Sequence, residues 1–498
     1  LGRRLRDGLL LATVALASAT AQPAPQPGLE PNKAEVEGFL RRLMQTRKIP
    51  GLQIAVVQHG KVVFLGAYGV ANVEDSVPVS DDTVFPVHSI TKAFVGVAVM
   101  QLVEAGKLDL GAPVSRYLDG LPTTWQAITL RQLLTHVSGL PELWDKHLRV
   151  IADTEAGLWS KLQSMPLEFP AGERFSYNQT NYFLLGKVIS KVSGEPVLEF
   201  IAERQFNVVG MPSSGFGDAH DVVPHISGTY CYCTESEQGT VASPRLTVFL
   251  RDWPVYIRTA AGLNTTAQEL AKWIVALREG RLLKKESLAT LWTPGRLNDG
   301  SARGTGDLTN GYALGWPIAI RPEHRAIAST GGNRAAFFIY PEDDLAVIIL
   351  TNLVGSGPEQ FVDEVAGYYI PGMRASGFGL SPTVRVLRSE LLKQGFEHAP
   401  EAARALKAKD KHFTLSESDL INWAYQLLEL GEVQKSIEIF KLSVTLFPKS
   451  GNTYDSLAEA YEVAGDKQKA ISNYRRSLEL DPANANAVEH LTRLGARP

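Results

Sequence analysis

The sequence predicts an α+β domain, built from an antiparallel sheet with an all-helical subdomain, followed by an all-α repeat hairpin domain. Two observations carry this reading. Strand-like apolar runs lie at Leu52 to Leu65 and again at Ala335 to Asn352, with mainly helical sequence between them, so the sheet has to be closed by strands far apart in the chain. Past residue 416 the chain repeats itself: Leu427 and Tyr461, Gly431 and Gly465, Phe440 and Tyr474, and Pro448 and Pro482 are each separated by 34 residues. A chain of 498 residues that is 44% hydrophobic is long enough to bury more than one core.

At the N-terminus, Arg3-Arg4-Leu5-Arg6 precedes an apolar run from Leu9 to Ala17 and then Ala19-Thr20-Ala21. This is the layout of a secretory signal peptide over 1–21, so a secreted or periplasmic protein is expected. The apolar run is shorter than the ~20 residues a bilayer requires, and no membrane span is expected after cleavage. A linker over 22–33 carries Pro23 to Pro31. The formal net charge of -3, with no basic run of five or more residues, gives no electrostatic reason to expect a nucleic-acid partner.

The main domain is placed at 34–372. Lys33 to Thr46 has helical spacing through Val36, Phe39, Leu40 and Leu43, and Pro50-Gly51 ends it. Leu52 to Val57 and Lys61 to Leu65 flank His59-Gly60 as a hairpin. Ser89 to Ala105 is apolar enough for a buried helix with Ser89 at its N-terminal end, where free backbone N–H groups and the helix dipole favour an anion. Lys107 to Pro212 reads as a helical insertion containing helices near Thr129 to His136 and Tyr182 to Val192. A helix over Ala267 to Arg278 follows, and the turn Pro341-Glu342-Asp343-Asp344 joins Ala335 to Tyr340 to Leu345 to Asn352 as a second hairpin. Cys231 and Cys233, one residue apart, are expected to be unpaired packing or loop residues, because a disulfide over so short a spacing would be strained and no further ligands complete a zinc site. No metal and no cofactor are expected.

The chemistry starts from Ser89-Ile90-Thr91-Lys92, the chain's only S-x-x-K. Positions three apart share a helix face, so an amine hangs over a hydroxyl, and a buried amine can act as the base a serine needs. Chance supplies this tetrapeptide about once in a chain of this length, so it needs company. Tyr177, in Phe175-Ser176-Tyr177-Asn178-Gln179, is a candidate base or proton relay if held against the amine. His88 points away from Ser89 if both lie on one helix, and His136 is expected to be structural, bonding the last carbonyls of the helix it ends. There is no H-E-x-x-H, G-x-S-x-G or P-loop.

Beyond S-x-x-K, the chain carries Ile49-Pro50-Gly51, Leu133-Leu134-Thr135-His136-Val137-Ser138-Gly139-Leu140-Pro141, Pro170-Ala171-Gly172 through Leu185-Gly186, Gly262-Leu263, Tyr312 to Trp316 and the final hairpin to Thr351-Asn352. In this order the run from Ile49 to Asn352 resembles the serine β-lactamase and penicillin-binding-protein superfamily, in its class C β-lactamase and D-alanyl-D-alanine carboxypeptidase-like branch. The resemblance implies the β-lactamase/transpeptidase-like fold. It also implies Ser89 as acylated nucleophile, Lys92 as its activating partner, Tyr177 as the base that then protonates the leaving group, and the backbone N–H groups of Ser89 and Gly332 as oxyanion donors. Two positions depart from the family pattern. Gln179 stands where Y-x-N has Asn and keeps a substrate-binding amide on a longer stem, and Ser329-Thr330-Gly331 stands at the substrate where K-T-G or H-x-G supplies a cation or imidazole. Arg334 is then either a substitute charge at the substrate or a solvated surface residue.

The 34-residue period resembles the tetratricopeptide repeat. Two repeats and a capping helix are expected over 417–498, joined to the main domain by a helical connector over 373–416. The repeats are either a stabilising appendage or a surface for a protein or peptide partner. The reading of the whole is an exported serine acyl hydrolase acting on a small-molecule or peptide ester or amide, with esterase, D-amino-acid peptidase or weak β-lactamase activity. The alternative is a catalytically impaired penicillin-binding-like protein that works as a binding or scaffolding module through its repeats.

Overall fold

The computed structural model describes residues 33–145, 149–236, 239–250, 252–306 and 308–497. The expected signal peptide and, apart from Lys33, the expected linker lie outside them.

The body is an eight-stranded sheet whose order is Val77–Pro78, Lys61–Asn72, Gly51–Gln58, Leu345–Thr351, Ala335–Tyr340, Ala326–Gly331, Pro317–Ala319 and Gly311–Tyr312. The first long strand pairs antiparallel with the last, Leu52 opposite Thr351 and Gln58 opposite Leu345, so the chain closes the sheet on itself. His59 and Gly60 turn the first hairpin with φ of 51° and 71°, the left-handed pair that a tight two-residue turn needs.

Alternate residues of the central strands feed opposite cores, as period-2 geometry requires. Val57, Phe337, Ile339, Ile348 and Leu350 join the core under the helical subdomain. Ile54, Val56, Phe338, Tyr340, Val347 and Ile349 join the core beneath the N-terminal helix Lys33–Thr46. Because both faces are covered, these strands read as continuous apolar runs rather than alternating ones.

The helix Thr91–Glu104 is buried from Thr91 through Met100 and again at Leu102. It packs so closely on the segment before Trp316 that a Cβ on Gly96 would stand 2.2 Å from the Leu314 carbonyl oxygen. Helix Gln179–Ser193 lies beside it, capped by Asn178, whose side chain accepts from the Asn181 N–H at 3.2 Å. A three-stranded sheet, Phe85–His88, Leu263–Thr265 and Gly215–Phe216, leads the chain into Ser89.

The hairpin Tyr230–Ser236 with Gly239–Val248 corrects the reading of the cysteines, because Cys231 and Cys233 form a disulfide. Residues two apart in a strand point the same way. A register shift between the two brings their Cα atoms to 5.2 Å, inside the range a disulfide spans without distortion.

A third core begins at Val384, after the second has ended at Phe378. It is formed by helices Pro382–Gln394 and Ala399–Lys409 and then by Glu417–Glu429, Val433–Leu446, Gly451–Val463, Lys467–Leu480 and Ala485–Arg493. Helix starts at 417 and 451, and at 433 and 467, are 34 apart in each case. Small residues Ala424, Ser436, Ala458 and Ala470 are fully buried where the helices cross. This all-helical unit docks on the N-terminal helix, with Arg42 Nε donating to the Glu429 carbonyl at 3.0 Å and Arg47 Nε to the Glu429 carboxylate at 2.7 Å. Among the described residues no helix is long and apolar enough to cross a membrane.

Candidate active site

Ser89 sits in the turn between the strand Phe85–His88 and the helix Thr91–Glu104, two residues before the first helical position. The turn is tied at Ile90 N–H to Val87 O (3.2 Å) and at Lys92 N–H to Ser89 O (3.0 Å), and His88 before it takes a φ of 47°. Lys92 is wholly buried in the first helical turn. Its Nζ lies 3.1 Å from Ser89 Oγ, 2.8 Å from Gln179 Oε1 and 2.7 Å from the Ala260 carbonyl oxygen.

Two of those three partners can only accept. A neutral amine therefore spends both its N–H bonds on Gln179 and Ala260 and aims its lone pair at the Ser89 hydroxyl. Burial makes that state accessible, pushing the Lys92 amine down to about 7 against the opposing pull of the Glu142 carboxylate.

Tyr177 precedes the cap of helix Gln179–Ser193. Its ring centroid lies 4.8 Å from Lys92 Nζ, and Ser89, beside its phenol, opposes the rise of its pKa. Burial drives the phenol well above its ordinary range, with the Glu142 charge adding to the rise, so Tyr177 holds its proton at neutral pH. Lys92 Nζ, 3.1 Å from Ser89 Oγ, is within reach of the hydroxyl proton, and a protonated Tyr177 stands on the same side with a proton to give.

His136 lies beneath that ring, 4.3 Å between centroids. Its Nδ1 accepts from the Asn178 N–H at 3.1 Å, so the proton sits on Nε2, 3.3 Å from the Tyr312 hydroxyl. Burial, and then the charge of Lys92, hold it well below its usual range and keep it neutral. Its ring braces Tyr177 and the cap of the helix that follows, while its backbone N–H bonds the Leu133 carbonyl of the preceding helix at 3.3 Å. Sequence spacing carries no sign of this, because the partners come from a segment about 40 residues away.

The strand Ala326–Gly331 presses against the nucleophile turn. A Cβ on Gly331 would stand 1.9 Å from Val87 O and 3.1 Å from Ser89 N, and one on Gly332, at φ 57°, would stand 3.0 Å from the His88 ring. Glycine is required at both positions, and the approach sets the backbone of Gly331 and Gly332 beside Ser89. A cavity of about 540 Å³ opens here, lined by Ser89, Tyr177, Ser329, Thr330, Gly331 and Gly332, with Phe175 and Tyr312 forming an aromatic wall. Among the described residues none that lines it carries a formal charge.

Two expected substrate contacts lie elsewhere. Gln179 turns its amide oxygen to Lys92 and does not line the cavity. Arg334 is neither a substrate charge nor a surface residue: it is 3% exposed and its guanidinium meets the His88 ring behind the nucleophile turn. Glu142, which the sequence reading passed over, is a second buried titratable group next to the site. Burial pushes it up to about 7, while the Gln179 and Leu143 backbone N–H groups pull it down.

An antiparallel sheet closed by its terminal strands, with a serine, a lysine and a tyrosine gathered between sheet and helical subdomain, is the fold class of the penicillin-binding-type serine hydrolases. Residues 36–367 match the Beta-lactamase family model, and the chain belongs to that family. It is similar to Protein flp of Staphylococcus aureus (strain N315), at 26% identity over 335 residues, covering 65% of this chain and 63% of that protein. The match thus spans less than two thirds of that relative's length. Among solved structures it is similar to the octameric penicillin-binding protein homologue from Pyrococcus abyssi, at 25% identity and a TM-score of 0.57, covering 71% of this chain and 81% of the other. It also shares its fold with the D-amino acid amidase from Ochrobactrum anthropi SV3, at 20% identity and a TM-score of 0.58, covering 69% of this chain and 99% of that one.

Proposed function

We propose that the chain is an exported serine acyl hydrolase that forms a Ser89 acyl-enzyme on an ester or amide whose recognised part carries no negative charge. The observation that carries this reading is the Ser89 Oγ to Lys92 Nζ contact of 3.1 Å, made by an amine that burial brings to about 7, with Ser89 opening on a cavity lined, among the described residues, by uncharged groups. Lys92 takes the hydroxyl proton as Ser89 Oγ attacks the carbonyl carbon. The backbone N–H groups of Ser89 and Gly332 receive the oxyanion, a donor of this kind being worth roughly 10²–10³ in rate. Tyr177 passes a proton to the departing alcohol or amine and is reprotonated by Lys92, which returns to the neutral amine. Water then repeats the sequence on the acyl-enzyme and frees the acid.

Ser329 supplies a hydroxyl at the position where a cation would pair with a substrate carboxylate, and Arg334 is committed to His88. β-Lactams and peptides ending in D-alanine both present that carboxylate, so neutral esters and amides are the better substrates. Intact-mass analysis of the wild type and Ser89→Ala, after exposure to an activated short-chain ester and to a penicillin, tests this. A Ser89-dependent adduct or turnover with the ester, faster than with the penicillin, is expected. The absence of adduct and turnover with both reagents would leave a binding module as the better account of the chain.

A further inference from the structure

Among the described residues, Glu142 is the acid whose charge acts on both Lys92 and Tyr177. Its place is built by three adjacent ties between its own segment and the start of helix Gln179–Ser193. Asn178 Nδ2 donates to Leu140 O at 2.8 Å, Thr180 Oγ1 to Pro141 O at 2.7 Å, and the Gln179 N–H to the Glu142 carboxylate at 3.0 and 3.2 Å. A fourth bond, from the Leu143 N–H at 2.7 Å, holds the same carboxylate. Gln179 thus has two partners: its backbone donates to Glu142 while its side-chain oxygen accepts from Lys92 Nζ at 2.8 Å.

We propose that Glu142 is a positioning residue for acyl transfer. Its carboxylate, fixed on the backbone of Gln179, sets the proton occupancy of Lys92, and through Gln179 it holds the amine on Ser89. The inference rests on the acyl-enzyme reading above for its role in turnover. Its physical content, the coupling of Glu142 to Lys92, stands apart from any activity.

Among the described residues, the groups that face Glu142 are Lys92 from the nucleophile helix, Glu168 from the segment before Pro170, Tyr177 from the approach to helix Gln179–Ser193, and the backbone N–H donors of Gln179 and Leu143. His136 lies beside Tyr177 and stays neutral, so it brings no charge. Lys92 loses its neighbouring anion if Glu142 is neutralised, and then gives up its proton at lower pH. Burial has already moved both groups to about 7, so either change falls where the enzyme works.

Glu142→Gln separates charge from structure, because the amide oxygen still accepts from Gln179 and Leu143. The direct readout is the pH titration of the Lys92 signal in protein labelled with 13Cε-lysine, assigned by its loss in Lys92→Met. The Lys92 midpoint is expected to fall by about 1 pH unit in Glu142→Gln. The acidic limb of Ser89-dependent ester hydrolysis should move the same way, with the plateau rate within a few-fold of wild type. Glu142→Asp, which keeps the charge on a shorter arm, should lower the melting temperature and leave the midpoint near wild type. A midpoint unmoved in Glu142→Gln, or one that follows melting temperature rather than charge across the two variants, overturns the inference. The titration needs no turnover, so a protein inert toward every ester would count against the hydrolase reading while the Lys92 midpoint still decides the role of Glu142.

Discussion

Lys92 is the residue whose environment does most to decide the chemistry, because burial alone moves its amine into the working range. Two consequences follow from the direction of that shift. Activity should rise with pH through about 7, as the amine sheds its proton and becomes a base. Stability should rise over the interval from about 7 toward 10.5, because there the unfolded chain binds a proton that the folded one does not. Lys92→Met, similar in length and without charge, should lose roughly 10²–10⁴ in turnover while flattening the rise in melting temperature over that interval. A pH series of melting curves beside ester kinetics checks both, and a variant with wild-type turnover would remove Lys92 from the mechanism. Ser89, Lys92 and Tyr177 were legible in the sequence because their spacing sits within an ordered run of family signatures. Glu142, His136 and the inward turn of Arg334 were not, because each depends on which distant segment covers the side chain.

At the scale of elements, the long apolar runs were the legible ones: Ala335–Tyr340 is found where its run predicts, and helix Ala267–Arg278 spans its predicted range. The hairpin from Tyr230 to Val248 was not legible, since its strands are half-polar, and its disulfide depends on a register shift that composition does not encode. The element that matters most to the site is the strand Ala326–Gly331, whose end abuts the nucleophile turn with no room for a side chain. A Cβ at Gly331 would meet backbone atoms of Val87 and Ser89, and backbone cannot swing aside as a flexible side chain can. Gly331→Ala should therefore push this strand away from Ser89, costing about 1–3 kcal/mol of stability. It should also reduce ester turnover by ~10²–10³ through displacement of the Gly332 donor. Thermal melting and pre-steady-state acylation together test this, and an alanine variant with unchanged melting and acylation would show that the close approach does not position the site.

At the scale of the whole molecule, the 34-residue period announced a separate helical unit, but nothing in the sequence said how that unit meets the hydrolase domain. Two of its contacts reach back to the first helix, across 387 and 382 positions, and both are polar: Arg42 Nε bonds the Glu429 carbonyl at 3.0 Å and Arg47 Nε the Glu429 carboxylate at 2.7 Å. Asp363 is paired with Arg321 through two bonds of 2.9 Å and accepts from the Tyr340 hydroxyl at 2.7 Å. Glu364 beside it has a Gln426 amide and, among the described residues, no ion-pair partner. One of its oxygens is buried without a partner, and burial together with the charges of Asp363 and Glu429 pushes it up to about 8. A carboxyl raised this way contributes stability that is complete below its unfolded value near 4.5 and is lost as pH climbs through about 8. The helical unit should thus hold the hydrolase domain more firmly at mildly acidic pH. Melting temperature should fall between pH 5 and 8 by about 2–4 °C for each kcal/mol withdrawn. Glu364→Gln keeps the hydrogen-bonding shape and removes the ionisation, so it should flatten that fall and leave the variant more stable than wild type at pH 8. Limited proteolysis across 380–416 at pH 5.5 and 8 gives an independent measure, with faster cleavage at pH 8 in the wild type alone. Equal pH dependence in both proteins would assign the titration to another group and remove Glu364 as the acid that governs how the two units dock.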